Sequence, residues 1–147
     1  MYSHVHGVAG AIIMVTCPDK VVGAVLAYTS HMVLDYLGET GYGDNTITGK
    51  IEFTHLATFG VLGFISGHFW LYFFGWLFGN LPDLIDKPLR IFFGKKEWHS
   101  CHNGPGLFQW KGKKLGYPVK IKFDRDDTIV LGILATLVLT VFTWIIK

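Results

Sequence analysis

Apolar positions fall in four blocks along the chain, at about 7–17, 21–38, 55–80 and 128–146, with one long polar stretch at 83–127. The first two blocks are short and meet at Cys17-Pro18-Asp19-Lys20, which is turn chemistry. They predict an N-terminal helical hairpin whose open ends lie together. Gly38 to Lys50 carries Gly38, Gly41, Gly43 and Asn45, and reads as a loop. His55 to Asn80 would extend about 39 Å as one helix, against about 30 Å for a bilayer core. It therefore tilts or breaks. Ser66-Gly67-His68 is the natural break, and Pro82 is the expected end. Thr128 to Ile146 is free of charge, about 28 Å as a helix, with Asp126 and Asp127 suited to its N-terminus. Within the polar stretch, Val119, Ile121 and Phe123 alternate, which predicts a short hairpin over Lys113 to Phe123.

Composition sharpens this pattern. The chain has 147 residues, 50% hydrophobic and 16% charged, where a typical soluble domain carries about 25% charged residues. A small domain buries only about two-thirds of its chain surface, so this apolar content predicts an all-α integral membrane protein, a single domain over 1–147 with three or four membrane segments. The stretch from Asp83 to Asp127 holds 10 of the 13 Lys and Arg, which by the positive-inside rule places a basic loop in the cytoplasm and the chain in the inner membrane. The N-terminus has no basic n-region and predicts no cleaved signal peptide. A net charge of +2 gives no footprint for nucleic acid. The partners expected are membrane lipid, other membrane proteins or a second copy of the chain.

Chemistry gathers at segment ends. His31 and Asp35 stand four apart, one turn from each other on a helix face, and Glu39 continues the stripe if the helix reaches it. Histidine nitrogen and carboxylate oxygen are usual zinc ligands; the other reading is a hydrogen-bonded pair that orients packing. Leu81-Pro82-Asp83-Leu84-Ile85-Asp86 offers either ligands or ordinary turn acids. His99-Ser100-Cys101-His102 is a metal-binding spacing or two solvent-exposed histidines, and His4-Val5-His6 precedes the first apolar block. The hairpin brings His6 towards His31 and Asp35. His55 and His68 are read as an interfacial residue, paired with Glu52, and the cap of a break; axial haem ligation is the competing reading.

Taken together, His6, Ser30-His31, Leu34-Asp35, Leu81-Pro82-Asp83 and His99/His102 resemble a family of small bacterial and archaeal membrane proteins described as predicted metal-dependent hydrolases, distantly similar to zinc-dependent phospholipase C. The resemblance covers about residues 4–103 through about six positions. It implies a divalent metal, zinc by donor type, held by His6, His31, Asp35, Asp83, His99 and His102. It also implies hydrolysis of a phosphoester or lipid-like substrate at the membrane face, with Asp35, Glu39 or Asp86 as general base and loop lysines on a phosphate. Two departures stand out: Gly38-Glu39 occupies the place of a Pro-His, and Gly94 that of a His. The alternative function is a non-enzymatic membrane subunit with structural His/Asp motifs, which the 18 glycines would favour through close helix packing.

Overall fold

The computed structural model describes residues 3–40, 45–93, 109–110, 113–114, 121–123 and 125–146. Five helices carry the fold: α1 (Ser3–Thr16), α2 (Lys20–Leu37), α3 (Asn45–Ile65), α4 (Phe69–Phe93) and α5 (Arg125–Ile146). Helix α1 is the centre, packed against each of the other four.

The α1–α2 turn is fixed from both sides. Asp19 Oδ1 accepts from the backbone N–H of Val21 at 2.8 Å and Val22 at 3.1 Å, capping the start of α2. Lys20 Nζ donates back to the carbonyls of Met14 at 3.0 Å and Cys17 at 2.6 Å, placing a cation at the C-terminus of α1. Between α3 and α4 the chain reverses at Ser66-Gly67-His68. Gly67 takes φ of 72°, a left-handed value that favours glycine. The His68 N–H bonds the Gly63 carbonyl at 3.0 Å and the Gly67 N–H bonds the Phe64 carbonyl at 3.1 Å, the paired closure of a Schellman turn.

Helix α4 does not stop at Pro82. It runs on to Phe93, so Asp83 and Asp86 are helical residues and not turn acids. Pro82 withdraws an N–H from the helix ladder, a loss of about 3 kcal/mol in a helix interior. Packing on both sides of the proline offsets it: Gly79 lies against α1, and Asp83 faces His31 of α2. The start of α3 at Asn45 likewise takes residues that read as loop into helix.

Of the hairpin expected over Lys113 to Phe123, residues 115–120 lie outside the described ones, and the two ends that are described pair with other segments. Gln109–Trp110 (β2) pairs antiparallel with Lys113–Lys114 (β3), while Ile121–Phe123 (β4) pairs in parallel with Gly38–Thr40 (β1). The strand that leaves α2 supplies β4 with a partner that local alternation cannot reveal.

The membrane architecture is corrected. Among the described residues no helix is long and apolar enough to cross a membrane. The reversal at Gly67 splits the block 55–80, leaving about 11 apolar residues on either side, about 17 Å each. The 25 residues of α4 include Asp83, Asp86, Lys87 and Arg90, and α1 has only 14 residues. The expected place in the inner membrane, with its cytoplasmic loop, falls with the spans. The apolar excess lies instead on outer helix faces: Phe53 is 74% exposed, Trp70 65% and Ile145 76%.

The core is made by Val8, Ala11, Phe59, Leu62, Tyr72 and Leu139. Thr143 Oγ1 donates to the Leu139 carbonyl at 2.7 Å, so the Tyr72 hydroxyl donates to Thr143 Oγ1, also at 2.7 Å, tying α4 to α5. The closest packing is where α1 crosses α4. A Cβ on Gly10 would collide with the Gly75 carbonyl, and one on Gly79 with the His6 carbonyl; one on Gly75 would lie 2.5 Å from Ala11 Cα. These neighbours are backbone and cannot swing aside. Gly10→Ala and Gly75→Ala are each expected to lower stability by about 1–3 kcal/mol or more. Gly60, in α3, has nothing within 4 Å of such a Cβ, so Gly60→Ala is expected to gain about 0.5–1 kcal/mol. Urea unfolding of the three variants checks both signs; equal effects at Gly60 and Gly10 would refute the crossing as the tight contact.

Candidate metal centre

Three helices bring a His/carboxylate cluster together beside that crossing. Asp35 lies one turn beyond His31 on α2, and its two oxygens divide between two imidazoles. Oδ2 stands 3.1 Å from His31 Nε2, and Oδ1 stands 3.1 Å from His6 Nε2 of α1. The His6 and His31 rings stack with centroids 3.8 Å apart at 20°. Asp83 of α4 places Oδ1 4.0 Å from His31 Nε2. His6 and His31 are fully buried, and Asp35 is 5% exposed.

Backbone fixes one tautomer. His31 Nδ1 lies 2.7 Å from the Gly79 carbonyl. A carbonyl only accepts, so Nδ1 carries the proton and donates. Nε2 is then the nitrogen directed at the carboxylates, either protonated towards Asp35 or bare for a cation. A backbone carbonyl behind a ligating histidine is the usual second layer of a metal site.

The donor set fits an ion. One ligand atom from each of His6, His31 and Asp35 lies within 4.8 Å of the others, so this buried group can hold a metal ion. Two ligands each about 2.1 Å from a tetrahedral ion stand about 3.4 Å apart. The two nitrogen–oxygen separations of 3.1 Å need only small adjustments. Two imidazoles and a carboxylate are a set used at catalytic zinc.

The residues expected to act divide unequally. His6, His31 and Asp35 meet, and Asp83 stands at their edge. Asp86 is buried three residues further along α4, 2% exposed. Asp35 therefore sits as a candidate ligand shared between two histidines, a poor position for a general base. Glu39 lies in β1, in register with Lys122, and its side chain is outside the described residues. His99 and His102 also fall outside them, as do the lysine and arginine side chains of the basic stretch. The haem reading meets a length problem: His55 is ten residues from the end of α3, about 15 Å along its axis, while His68 sits in the turn beyond it.

One contributor escaped the sequence, and His4, named there beside His6, lies apart from the centre. The Gly79 carbonyl is a backbone group with no residue signature, although Gly75-x-x-x-Gly79 puts two glycines on one helix face and marks a close approach. His4 is fully buried and stacks on His55 with ring centroids 4.4 Å apart at 21°.

No known family model, no curated protein and no solved structure matches the chain. The chemistry of the site rests on the geometry above.

Burial holds His6 down to about 4 from the ordinary 6.5, against the opposing hydrogen bond to Asp35. Burial, then the neighbouring His55, lowers His4 to about 3. The unfolded chain takes up these protons near pH 6.5, and the folded chain only near 4 and 3. Stability is thus complete above about pH 6.5 and lost as pH falls through the window to about 3. Urea midpoints of the metal-free protein are expected to fall steadily across that window; a flat profile would refute the buried neutral histidines.

Proposed function

We propose that the protein is a zinc-dependent hydrolase of phosphoesters that carry an apolar group. The observation behind the metal is the meeting of His6, His31 and Asp35 at 3.1 Å separations within the helix core. A bound divalent ion supplies a lowered water pKa, near 7, and polarises a phosphoryl oxygen. His6 and His31 would hold the ion through Nε2, and the Gly79 carbonyl, by fixing the proton on His31 Nδ1, would leave Nε2 to ligate. Asp35 compensates the ion's charge. Asp83, at 4.0 Å from His31 Nε2, stands at the edge of the ligand set, where it would serve as the general base. Asp86 follows it on α4.

The apolar group has a place. A cavity of about 290 Å³ lies between α3 and α4, lined by Leu56, Phe59, Gly60, Phe69, Phe73 and Trp76. Trp76 also packs over Gly7, the residue next to His6. The assignment to phosphoesters follows from the resemblance described above, and the apolar substituent from this cavity.

A second reading is a structural ion that ties α1 to α2, with no reaction. The complete burial of both histidines favours it. An open coordination position separates the two, because a structural site is closed.

The experiment is metal analysis and phosphodiesterase assay of the purified chain, with nitrophenyl phosphodiesters bearing short and long alkyl groups. Stoichiometric zinc in the wild type should disappear in His31→Ala/Asp35→Ala. Asp83→Asn should keep the ion and lower kcat about 10²–10⁴-fold, and the long-chain ester should show the lower KM. Zinc retained by the double variant would end the metal assignment. Zinc bound with no turnover of either ester would leave the structural ion as the function.

A further inference from the structure

Asn80 stands three residues before Asp83 on α4, a spacing that puts both on one face of the helix. The residue before it, Gly79, holds His31 Nδ1 through its carbonyl. Asn80 thus belongs to the turn that orients one histidine of the cluster. The next turn brings Asp83 within 4.0 Å of His31 Nε2. Asn80 is 2% exposed.

The amide of Asn80 can stand only one way round. Nδ2 donates to the Trp76 carbonyl at 2.8 Å. Exchanging the two ends of the amide would set oxygen against oxygen, so the nitrogen faces that carbonyl and the oxygen is turned away from it. Oδ1 is buried and, among the described residues, accepts no hydrogen bond. A buried amide oxygen without a donor carries its full desolvation penalty. Such a group calls for a bound molecule or a catalytic role that meets it.

Oδ1 can only accept, so whatever meets it brings an O–H or N–H. Water brings two. A water that attacks a phosphoester gives one hydrogen to the general base, the place Asp83 takes above. Its second hydrogen also needs an acceptor in a buried site. A neutral acceptor suits that task, because a second carboxylate would compete with Asp83 for the proton.

Resting on the hydrolase reading above, we propose that Asn80 is a further catalytic residue, whose Oδ1 accepts one hydrogen of the attacking water while Asp83 takes the other. With both hydrogens held, the water can turn only its lone pairs to the phosphorus. The step balances within these groups. The water oxygen forms a bond to phosphorus, the bond from phosphorus to the departing oxygen breaks, and the proton taken by Asp83 passes to that oxygen. Asn80 gains and loses no proton.

The test compares kcat, KM, zinc content and urea midpoint of the full chain as wild type, Asn80→Leu and Asn80→Ser, with the short- and long-alkyl nitrophenyl phosphodiesters. Leucine copies the branched shape of asparagine without its oxygen. Asn80→Leu should keep stoichiometric zinc and lower kcat about 10²-fold at unchanged KM. The loss should be equal for both esters, since the residue acts on the water and not on the alkyl group. The urea midpoint should be no lower than that of the wild type, because an oxygen with no protein donor is removed. In Asn80→Ser the hydroxyl can bond back to the Trp76 carbonyl and still accept, which should bring kcat to within about tenfold of the wild type. Undiminished turnover in Asn80→Leu would overturn the proposal. So would loss of zinc, a urea midpoint that falls together with the rate, or a loss confined to the long-chain ester. A wild type that holds zinc and hydrolyses neither ester ends the hydrolase reading and this role with it, whereas an active wild type beside an equally active Asn80→Leu ends this role alone.

Discussion

Backbone-to-backbone contact between α1 and α4 is the constraint from which the site follows. Gly10 meets Gly75, and Gly79 meets His6, with no room for a Cβ on any of the three glycines. The crossing sets His6 of α1 level with Gly79 of α4. The Gly79 carbonyl in turn holds His31, and His31 shares Asp35 with His6. A shift of α4 along α1 by a single residue, about 1.5 Å, would part all three. Close packing here works as a ruler for the ligand geometry.

The two histidine pairs differ in how they are supported. His31 is held by a helix carbonyl, that of Gly79, three residues before Pro82 on α4. His55 is held by a threonine whose hydroxyl is itself committed to the carbonyl one turn earlier. In both cases the acceptor belongs to a different helix from the histidine, so each imidazole orientation reports on tertiary packing and not on its own helix.

The sequence made the chemistry of α2 legible, because His31 and Asp35 are four apart and a helix turns that spacing into contact. The reversal at Gly67 was legible for a similar reason: a glycine between two apolar runs too long for one helix is a local signal, and the left-handed φ is its local consequence. Tertiary facts were not. Pro82 reads as a stop, but contacts with α1 and α2 on either side of it carry α4 onward. The apolar composition reads as membrane spans, but the structure spreads those residues over outer helix faces, and among the described residues no helix is long and apolar enough to cross a membrane. His4 and His55 carry no shared spacing at all; only the three-dimensional packing of α1 between α3 and α5 puts them together. Composition counts apolar residues without regard to where a chain folds back, and that was the source of the error.

The order of the elements along the chain has a consequence for synthesis. His6, His31 and Asp35 all belong to the first helical hairpin, whereas Gly79 and Asp83 arrive with α4. Forty-eight residues separate Asp35 from Asp83, about 2–10 s of ribosomal elongation. During that interval the nascent hairpin carries two imidazoles and a carboxylate with nothing of α4 to cover them. An ion that this group can hold therefore has access to all three side chains before the glycine crossing shuts over them.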